Sequence, residues 1–151
     1  MARSTVELRC DCPGIQRPLD TKLQIRIVLE AEAVLGILIF CESGIVELVT
    51  SDILTFEVGR TPHIARREYA WEVLSQAKTH VRLNSELEQR AKELNSQGIK
   101  PLDALHLAAA EEARADYLCT CDDRFLRRAQ AIADLKVEVV GPVELVGELE
   151  K

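Results

Sequence analysis

The sequence predicts an α/β fold in which a short, mostly parallel sheet of about five strands lies between layers of helices. Short apolar runs alternate with longer segments of helical periodicity throughout the 151 residues, a pattern typical of a parallel sheet covered on both faces. Hydrophobic residues make up 47% of the chain and charged residues 29%, which is enough apolar surface for a packed core. No internal repeat or long linker divides the sequence, so we expect one domain over residues 1–151.

The first half of the chain opens with a predicted strand at residues 5–10, followed by a loop that contains Pro and Gly. A helix is predicted over residues 23–42. It is apolar on most sides from 28 to 40, so we expect it to be widely buried or to meet another protein. Ser51-Asp52 then predicts a helix start, because such side chains accept hydrogen bonds from free backbone N–H groups. The predicted elements that follow the long helix are a strand at 46–50, a helix at 51–59, a helix at 63–78 and a strand at 79–83.

The second half contains the most informative stretch, residues 101–125. Pro101 suits the first helical position, since its missing N–H would be unpaired there. Asp103 falls in the first turn, where the helix dipole favours a carboxylate, and His106 follows one turn later. Residues 117–121 are a short apolar run typical of a buried strand, with Asp122 at its carboxyl end. The other predicted elements are a helix at 85–96, a helix from 123 or 124 to 133, a strand at 136–140 and a helix from 141 to about 149.

The net charge of −6 argues against a simple electrostatic nucleic-acid binder. It is compatible with an enzyme that reaches nucleic acid through a local basic patch or a bridging metal ion. The N-terminal segment lacks the apolar core of a signal peptide, and the longest apolar stretch, residues 33–41, is too short to span a bilayer. We therefore expect a cytoplasmic protein with no membrane partner.

The five cysteines include two C-x-C pairs, Cys10/Cys12 and Cys119/Cys121. Small buried thiols in a reducing compartment are the favoured interpretation. A zinc site with four thiolate ligands is the alternative, although zinc ligands are usually spaced by two or more residues.

Acidic residues follow strand ends or open helices at three places: Asp11, Asp103 and Asp122, with Glu57 one element away. A parallel sheet gathers the carboxyl ends of its strands at one edge, where ligands bind. Clustered carboxylates repel one another unless a cation is present, and hard oxygen ligands suit Mg²⁺ or Mn²⁺. A metal ion at an acidic edge of this kind favours phosphodiester hydrolysis.

Four segments carry a resemblance to PIN-domain proteins, of the kind found as toxins of VapBC-type toxin–antitoxin pairs. The stretches LDALHLA at 102–108 and TCDDRF at 120–125 are similar to the Asp-Ala-x-x-x-Ala helix and the Thr-x-Asp-x-x-Phe strand end of that family. The third match is the N-terminal part of one PIN subfamily, with Asp11 followed by Arg-Pro at 17–18 and then RIVLEAEA at 26–33, and the fourth is SDILTFE at 51–57. The resemblance runs from about residue 6 to residue 140.

The resemblance implies a PIN fold and an endoribonuclease that depends on Mg²⁺ or Mn²⁺. Its catalytic and metal-binding acids would be Asp11, Glu57, Asp103 and Asp122, and one carboxylate would help to deprotonate the attacking water. Asp123 is a less favoured alternative to Asp122, because the Thr-x-Asp spacing selects Asp122. The family also implies a VapB-like antitoxin as partner and a homodimer, and the apolar helix segment at 28–40 offers a surface for another helix.

Residues around these acids receive weaker assignments. Thr120 is expected to hydrogen-bond a carboxylate. His106 is expected to hydrogen-bond one of the acids or to lie in the core. Direct binding of the metal ion is disfavoured, since hard cations prefer oxygen ligands. Four arginines are candidates for binding RNA phosphates: Arg17, Arg124, Arg127 and Arg128. Basic residues after a strand end are also typical of a solvated helix face.

Two positions depart from the family pattern. Cys12 stands where the family has Ser or Thr, and Gln16 stands where the subfamily has Asn. Because a thiol is a poorer hydrogen-bond donor than a hydroxyl, a catalytically weak PIN-fold protein that binds RNA or another protein is the main alternative. A receiver-like phospho-acceptor domain also uses an acidic sheet edge, but the Asp122-Asp123 pair comes too late in the chain for it.

Overall fold

The computed structural model describes residues 4–9 and 21–151, with side chains described at 4–9 and from residue 24 onward. Strands and helices alternate along most of this length. In order, the elements are β1 (Ser4–Leu8), α1 (Thr21–Glu42), β2 (Val46–Ser51), α2 (Asp52–Gly59), α3 (Ile64–Leu74), β3 (Thr79–Val81), α4 (Ser85–Ser96), α5 (Pro101–Glu112), β4 (Tyr117–Cys119), α6 (Asp123–Gln130), β5 (Glu138–Val140) and α7 (Pro142–Leu149).

The sheet has five parallel strands in the order β3-β2-β1-β4-β5, which confirms the predicted architecture. β1 lies at the centre, with Val6 in register with Leu48 of β2 and Tyr117 of β4. Since all five strands run the same way, their carboxyl ends meet at one edge. The segments that follow β1, β2 and β4 therefore begin side by side.

Side chains of β1 alternate between the two faces of the sheet, as strand geometry requires. Val6 and Leu8 pack with Ile37 of α1 and Leu145 of α7. On the opposite face, apolar side chains of the neighbouring strands pack with α4, α5 and α6, as the cluster of Val49, Leu118, Leu94, Leu107 and Phe125 shows. Glu7 and Arg9 occupy this second face of β1, beneath the helices that carry the predicted acids.

Several predicted boundaries differ from the observed ones because the chain leaves a helix to join the sheet. The helix predicted over 63–78 is α3, which ends at Leu74. Its backbone then forms tight turns, and the N–H of Lys78 donates to the carbonyl of Leu48 in β2. The helix predicted to reach residue 133 likewise ends at Gln130, since the N–H groups of Ala131 and Ile132 bond three residues back.

α1 is less buried than expected for so apolar a helix. Ile27 and Ile37 face the core, but a stripe of large side chains is 50–63% exposed. This α1 stripe consists of Ile25, Val28, Leu29, Leu35 and Ile39. Of the two expectations for this helix, wide burial is therefore wrong for the face that carries the α1 stripe, and contact of this face with another protein stays a prediction. None of the helices within residues 4–9 and 21–151 is long and apolar enough to cross a membrane.

Cysteine side chains in the described residues differ in state. Cys41 is a free thiol, whereas Cys121 is disulfide-bonded. The expectation of reduced thiols is therefore wrong for Cys121, which as a disulfide sulfur cannot serve as a thiolate ligand. Cys10 and Cys12, the other half of the zinc-site alternative, lie outside the described residues.

Candidate active site

Two of the predicted acids reach the carboxyl edge of the sheet from different helices. Asp103 lies in the first turn of α5, which begins with Pro101. Glu57 lies in α2, whose start is fixed by Ser51, because the Ser51 hydroxyl accepts a hydrogen bond from the N–H of Leu54. The side chain of Asp103 is 15% exposed and that of Glu57 is 28% exposed. Both carboxylates are therefore partly withdrawn from water and require a positive partner.

That partner is Arg9, the residue that follows β1. Its Nη1 donates to Oδ1 of Asp103 at 2.9 Å, and its Nη2 donates to Oε2 of Glu57 at 3.1 Å. The Arg9 side chain is 5% exposed, and its guanidinium carbon lies 5.1 Å from the centre of the Phe125 ring. One buried guanidinium thus joins three segments of the chain: the end of β1, α2 and α5.

A second group of polar side chains lies directly beneath these acids. His106, which has no exposed surface, places Nε2 2.9 Å from Oε1 of Glu57. Its Nδ1 lies 3.7 Å from Oε1 of Glu7, which is also fully buried. The Ser51 hydroxyl is 3.5 Å from the same Glu7 oxygen. The imidazole therefore lies between two glutamates, one on the central strand and one at the edge.

The surroundings of His106 and Glu57 shift their pKa values in opposite directions. Burial alone lowers the pKa of His106, but the hydrogen bond to Glu57 and the nearby carboxylate of Glu7 outweigh it, so the pKa lies above its ordinary value. Burial alone raises the pKa of Glu57, but the hydrogen bond and charge of His106, together with Arg9, bring the pKa below its ordinary value. Both shifts favour an ion pair between the imidazolium and the carboxylate.

Asp122 lies at the same edge and also caps a helix. Its Oδ1 accepts hydrogen bonds from the backbone N–H groups of Arg124 and Phe125, at the start of α6. The Thr120 hydroxyl accepts a hydrogen bond from the N–H of Asp122 at 3.1 Å. The neighbouring Asp123 forms a two-pronged ion pair with Arg26 of α1, which lowers the pKa of that carboxyl.

Comparison with known proteins identifies the family of this chain. The PIN domain profile matches residues 19–131, which is most of the chain. The chain belongs to the PIN domain family. PIN domains are generally nucleases. No curated protein sequence matches the chain.

Among solved structures, this PIN domain is similar in fold to the crystal structure of VapBC2 from Rickettsia felis bound to a DNA fragment from their promoter. The TM-score is 0.50 at 13% sequence identity, and the match covers 91% of this chain and 98% of the other. At this identity, the similarity concerns the fold.

The remaining predicted residues of the PIN domain fall into two groups. Asp11 and Arg17 lie outside the described residues. Three arginines follow Asp122 on α6, and all three have exposed side chains: Arg124, Arg127 and Arg128. The structure thus joins Glu57 and Asp103 through Arg9, places Asp122 at the same edge and sets His106 beneath them.

Two residues of this site, Glu7 and Arg9, were not singled out from the sequence. The available signal was their spacing, because charged residues two apart in a strand lie on the same face. In a central strand covered on both sides, such charges are costly unless they are paired. Arg9 pairs with acids from α2 and α5, which lie 48 and 94 residues away.

The donor atoms at this edge suit a hard divalent cation, because Glu57, Asp103 and Asp122 all offer carboxylate oxygens. Their present arrangement does not form such a site within residues 4–9 and 21–151, where no three His, Cys, Asp or Glu side chains are grouped to hold a metal ion. In this arrangement, the Arg9 guanidinium lies against Glu57 and Asp103.

Proposed function

We propose that this PIN domain is an endoribonuclease that depends on Mg²⁺ or Mn²⁺ and acts in the cytoplasm. The observation that carries the proposal is the pairing of Glu57 and Asp103 around one cation at the carboxyl edge of a parallel sheet. Acids from distant segments are brought together there despite their mutual repulsion. Two carboxylates held this close need a positive charge nearby for stability, and the same carboxylates form a binding site for a cation.

The proposed roles of the acids follow from their positions. Glu57, Asp103 and Asp122, together with Asp11, would hold the metal ion, which supplies a bound water of lowered pKa and charge neutralisation at the phosphate. Glu57 is kept ionised by His106, so it holds its charge at neutral pH. An ionised carboxylate of this group accepts the proton of the attacking water. His106 acts as a positioning residue through Glu57.

RNA phosphates would be bound by exposed arginines next to Asp122. Arg124, Arg127 and Arg128 extend from α6, whose first residue follows Asp122. Arginine binds phosphate through a planar fork of donors. Although the whole chain carries a net charge of −6, these three residues provide a local basic surface. Arg17, which lies outside the described residues, is proposed as a further phosphate-binding residue from the family resemblance alone. The charge distribution therefore favours RNA approach from the α6 side.

We propose a VapB-like antitoxin as the partner, with the chain as its toxin. The α1 stripe supports this proposal, since its five large apolar side chains are 50–63% exposed and recur at the spacing of one helix face. An amphipathic helix of a partner would bury this face. The VapBC2 neighbour is itself a complex of this class by its description. We also propose a homodimer, and the α1 stripe is the candidate surface for either contact.

Cleavage of a panel of mixed single-stranded RNAs tests the nuclease proposal. The purified protein is assayed with Mn²⁺ or Mg²⁺, with EDTA, and as the Asp103→Asn variant. Asp116→Asn is the matched control, because it makes the same chemical change at the other end of β4, where Asp116 accepts a hydrogen bond from the N–H of Thr5. We expect metal-dependent cleavage by the wild type and by Asp116→Asn, and none by Asp103→Asn.

Other results would redirect the proposal. Cleavage by Asp103→Asn at the wild-type rate would show that the activity does not come from this site. No cleavage and no Mn²⁺ binding would favour the alternative function, a PIN-fold protein that binds RNA or another protein.

Sedimentation of the isolated chain tests the partner proposal. The double substitution Leu35→Glu/Ile39→Glu places two charges in the α1 stripe at exposed positions. If the wild type is a dimer and the variant a monomer, the stripe is the homodimer contact. If both are monomers, the stripe is left open for the antitoxin.

A further inference from the structure

Arg9 occupies the place where a metal ion would bind the two acids. Its Nη1 and Nη2 atoms contact Oδ1 of Asp103 and Oε2 of Glu57 at 2.9 and 3.1 Å. Mg²⁺ and Mn²⁺ bind carboxylate oxygens at much shorter distances, about 2.1 Å for Mg²⁺. A divalent ion placed against these two oxygens would also repel the guanidinium. Arg9 and the metal ion are therefore competitors for the same carboxylates.

The guanidinium is held in place by more than its charge. The side chain of Arg9 is 5% exposed, and Arg stays protonated at every pH that a protein tolerates. Its flat group lies 5.1 Å from the centre of the Phe125 ring, a distance at which a cation and an aromatic face attract each other. The backbone N–H of Arg9 donates to the carbonyl of Cys119. These contacts anchor the positive charge between α2 and α5.

We infer that Arg9 is the resident counter-cation of the Glu57–Asp103 pair and sets the metal affinity of the site. In the metal-free protein, the guanidinium forms an ion pair with each of the two carboxylates and so helps to hold α2 and α5 together. Metal binding has to displace the guanidinium from these oxygens, which lowers the apparent affinity for the ion. The inference rests on the proposed function only in taking Glu57 and Asp103 as metal ligands.

Titration with Mn²⁺ alone tests this inference, using metal-stripped protein, isothermal calorimetry and no RNA. We expect Arg9→Met to bind Mn²⁺ at least tenfold more tightly than the wild type. Arg90→Met is the matched control, because Arg90 forms a similar fork with the buried Glu111 but links α4 to α5 at the far end of α5. It removes the same charge from the chain and is expected to keep the wild-type affinity.

A second readout separates competition from a change in folding. Arg9→Met removes the cation that Asp103 and Glu57 share and leaves Glu57 with His106 alone. We therefore expect a lower melting temperature in EDTA and a larger rise on adding Mn²⁺ than in the wild type. If Arg9→Met does not fold, Arg9→Lys decides the question. One ammonium bridges two carboxylates less well than a guanidinium fork, so Arg9→Lys is expected to bind Mn²⁺ more tightly than the wild type.

Equal or weaker Mn²⁺ binding by the folded Arg9 variant, including no detectable binding, would overturn the inference. A gain in affinity shared by Arg90→Met would also overturn it, since the effect would then come from net charge. The nuclease proposal can fail independently, because a protein that cuts no RNA can still show the affinity difference in this titration.

Discussion

The Nε2 atom of His106 lies 2.9 Å from Oε1 of Glu57 and joins α5 to α2 beneath the acidic edge. The imidazole has no exposed surface, and Glu7 approaches its other nitrogen from the central strand. His106 therefore contributes to stability as a buried cation between two carboxylates. Its effect depends on pH, and the sign follows from the two pKa shifts.

We expect His106→Gln to destabilise the protein by about 3 kcal/mol at pH 6 and by less at pH 9. The raised pKa of His106 means that its stabilising effect is complete below the ordinary value of 6.5 and is lost as pH rises through the raised value. The lowered pKa of Glu57 means that its effect is present above 4.5 and is lost as pH falls through the lowered value. The pair is thus most stabilising between about pH 4.5 and 6.5.

Urea unfolding in EDTA from pH 5.5 to 9 measures this difference. His80→Gln is the control, since His80 makes a 2.8 Å contact with Asp52 in which both side chains are 40% exposed. We expect less than about 1 kcal/mol for this exposed pair. A cost of His106→Gln that stays constant across the pH range would show that the histidine is neutral in the folded protein.

Asp122 is expected to have a structural role that can be separated from its charge. Asp122→Ala removes the cap that accepts two backbone N–H groups of α6 and should cost about 1 kcal/mol. Asp122→Asn keeps a capping oxygen and should cost only a few tenths. If Asp122 also binds metal, both variants lose Mn²⁺-dependent cleavage. Thermal unfolding and RNA cleavage on the same preparations separate the roles, and an active Asp122→Asn enzyme would limit Asp122 to capping.

Two arginine–phenylalanine contacts offer a matched test of burial. Phe125 is 2% exposed beneath Arg9, whereas Phe56 is 55% exposed beside Arg60, with guanidinium carbons 5.1 and 5.4 Å from the ring centres. We expect Phe125→Ala to cost about 3–5 kcal/mol because it leaves a cavity. Phe56→Ala should cost about 1 kcal/mol or less. Similar costs in denaturant unfolding would contradict the packing around Phe125.

Cys41 is expected to react slowly with iodoacetamide. Burial, followed by the charge of Glu42, raises the pKa of its thiol to about 11 from an ordinary value of 9.0. Because the thiolate is the reactive form, alkylation at pH 8 should be about 100-fold slower than for an ordinary thiol. The rate should rise about tenfold per pH unit up to about pH 11. Mass spectrometry of the Cys41 peptide gives the rate, and the unfolded chain in urea gives the reference.

Much of the fold could be predicted from the sequence because its local signals agree with its tertiary structure. Pro101 opens α5, and Ser51 caps α2, as each residue type favours. Strand ends were predicted less well, since β4 stops at Cys119 although the apolar run continues. A strand ends where its hydrogen-bonded pairing with a neighbouring strand stops. An apolar run in the sequence does not show where that neighbouring strand ends.

The site was predicted only in part, because its contacts join segments that are distant in the sequence. Glu57 and Asp103 could be proposed from motif positions, and the structure brings them to one guanidinium. The pairing through Arg9 could not be predicted, because it depends on which helices cover one face of β1. Glu7 was missed since its partner His106 is distant in sequence, and their contact exists only after α5 packs on the sheet.

The central position of β1 also has a consequence for how the protein is made. A ribosome synthesises β1 well before β4, which pairs with it, as the contact between Thr5 and Asp116, 111 residues apart, shows. Domains generally fold as units during synthesis. A nascent chain that ends before α5 carries Arg9 and Glu57 but has no Asp103 to complete the group. The acidic site is therefore assembled only after α5 has been synthesised, and chains that end before α5 are expected to be inactive.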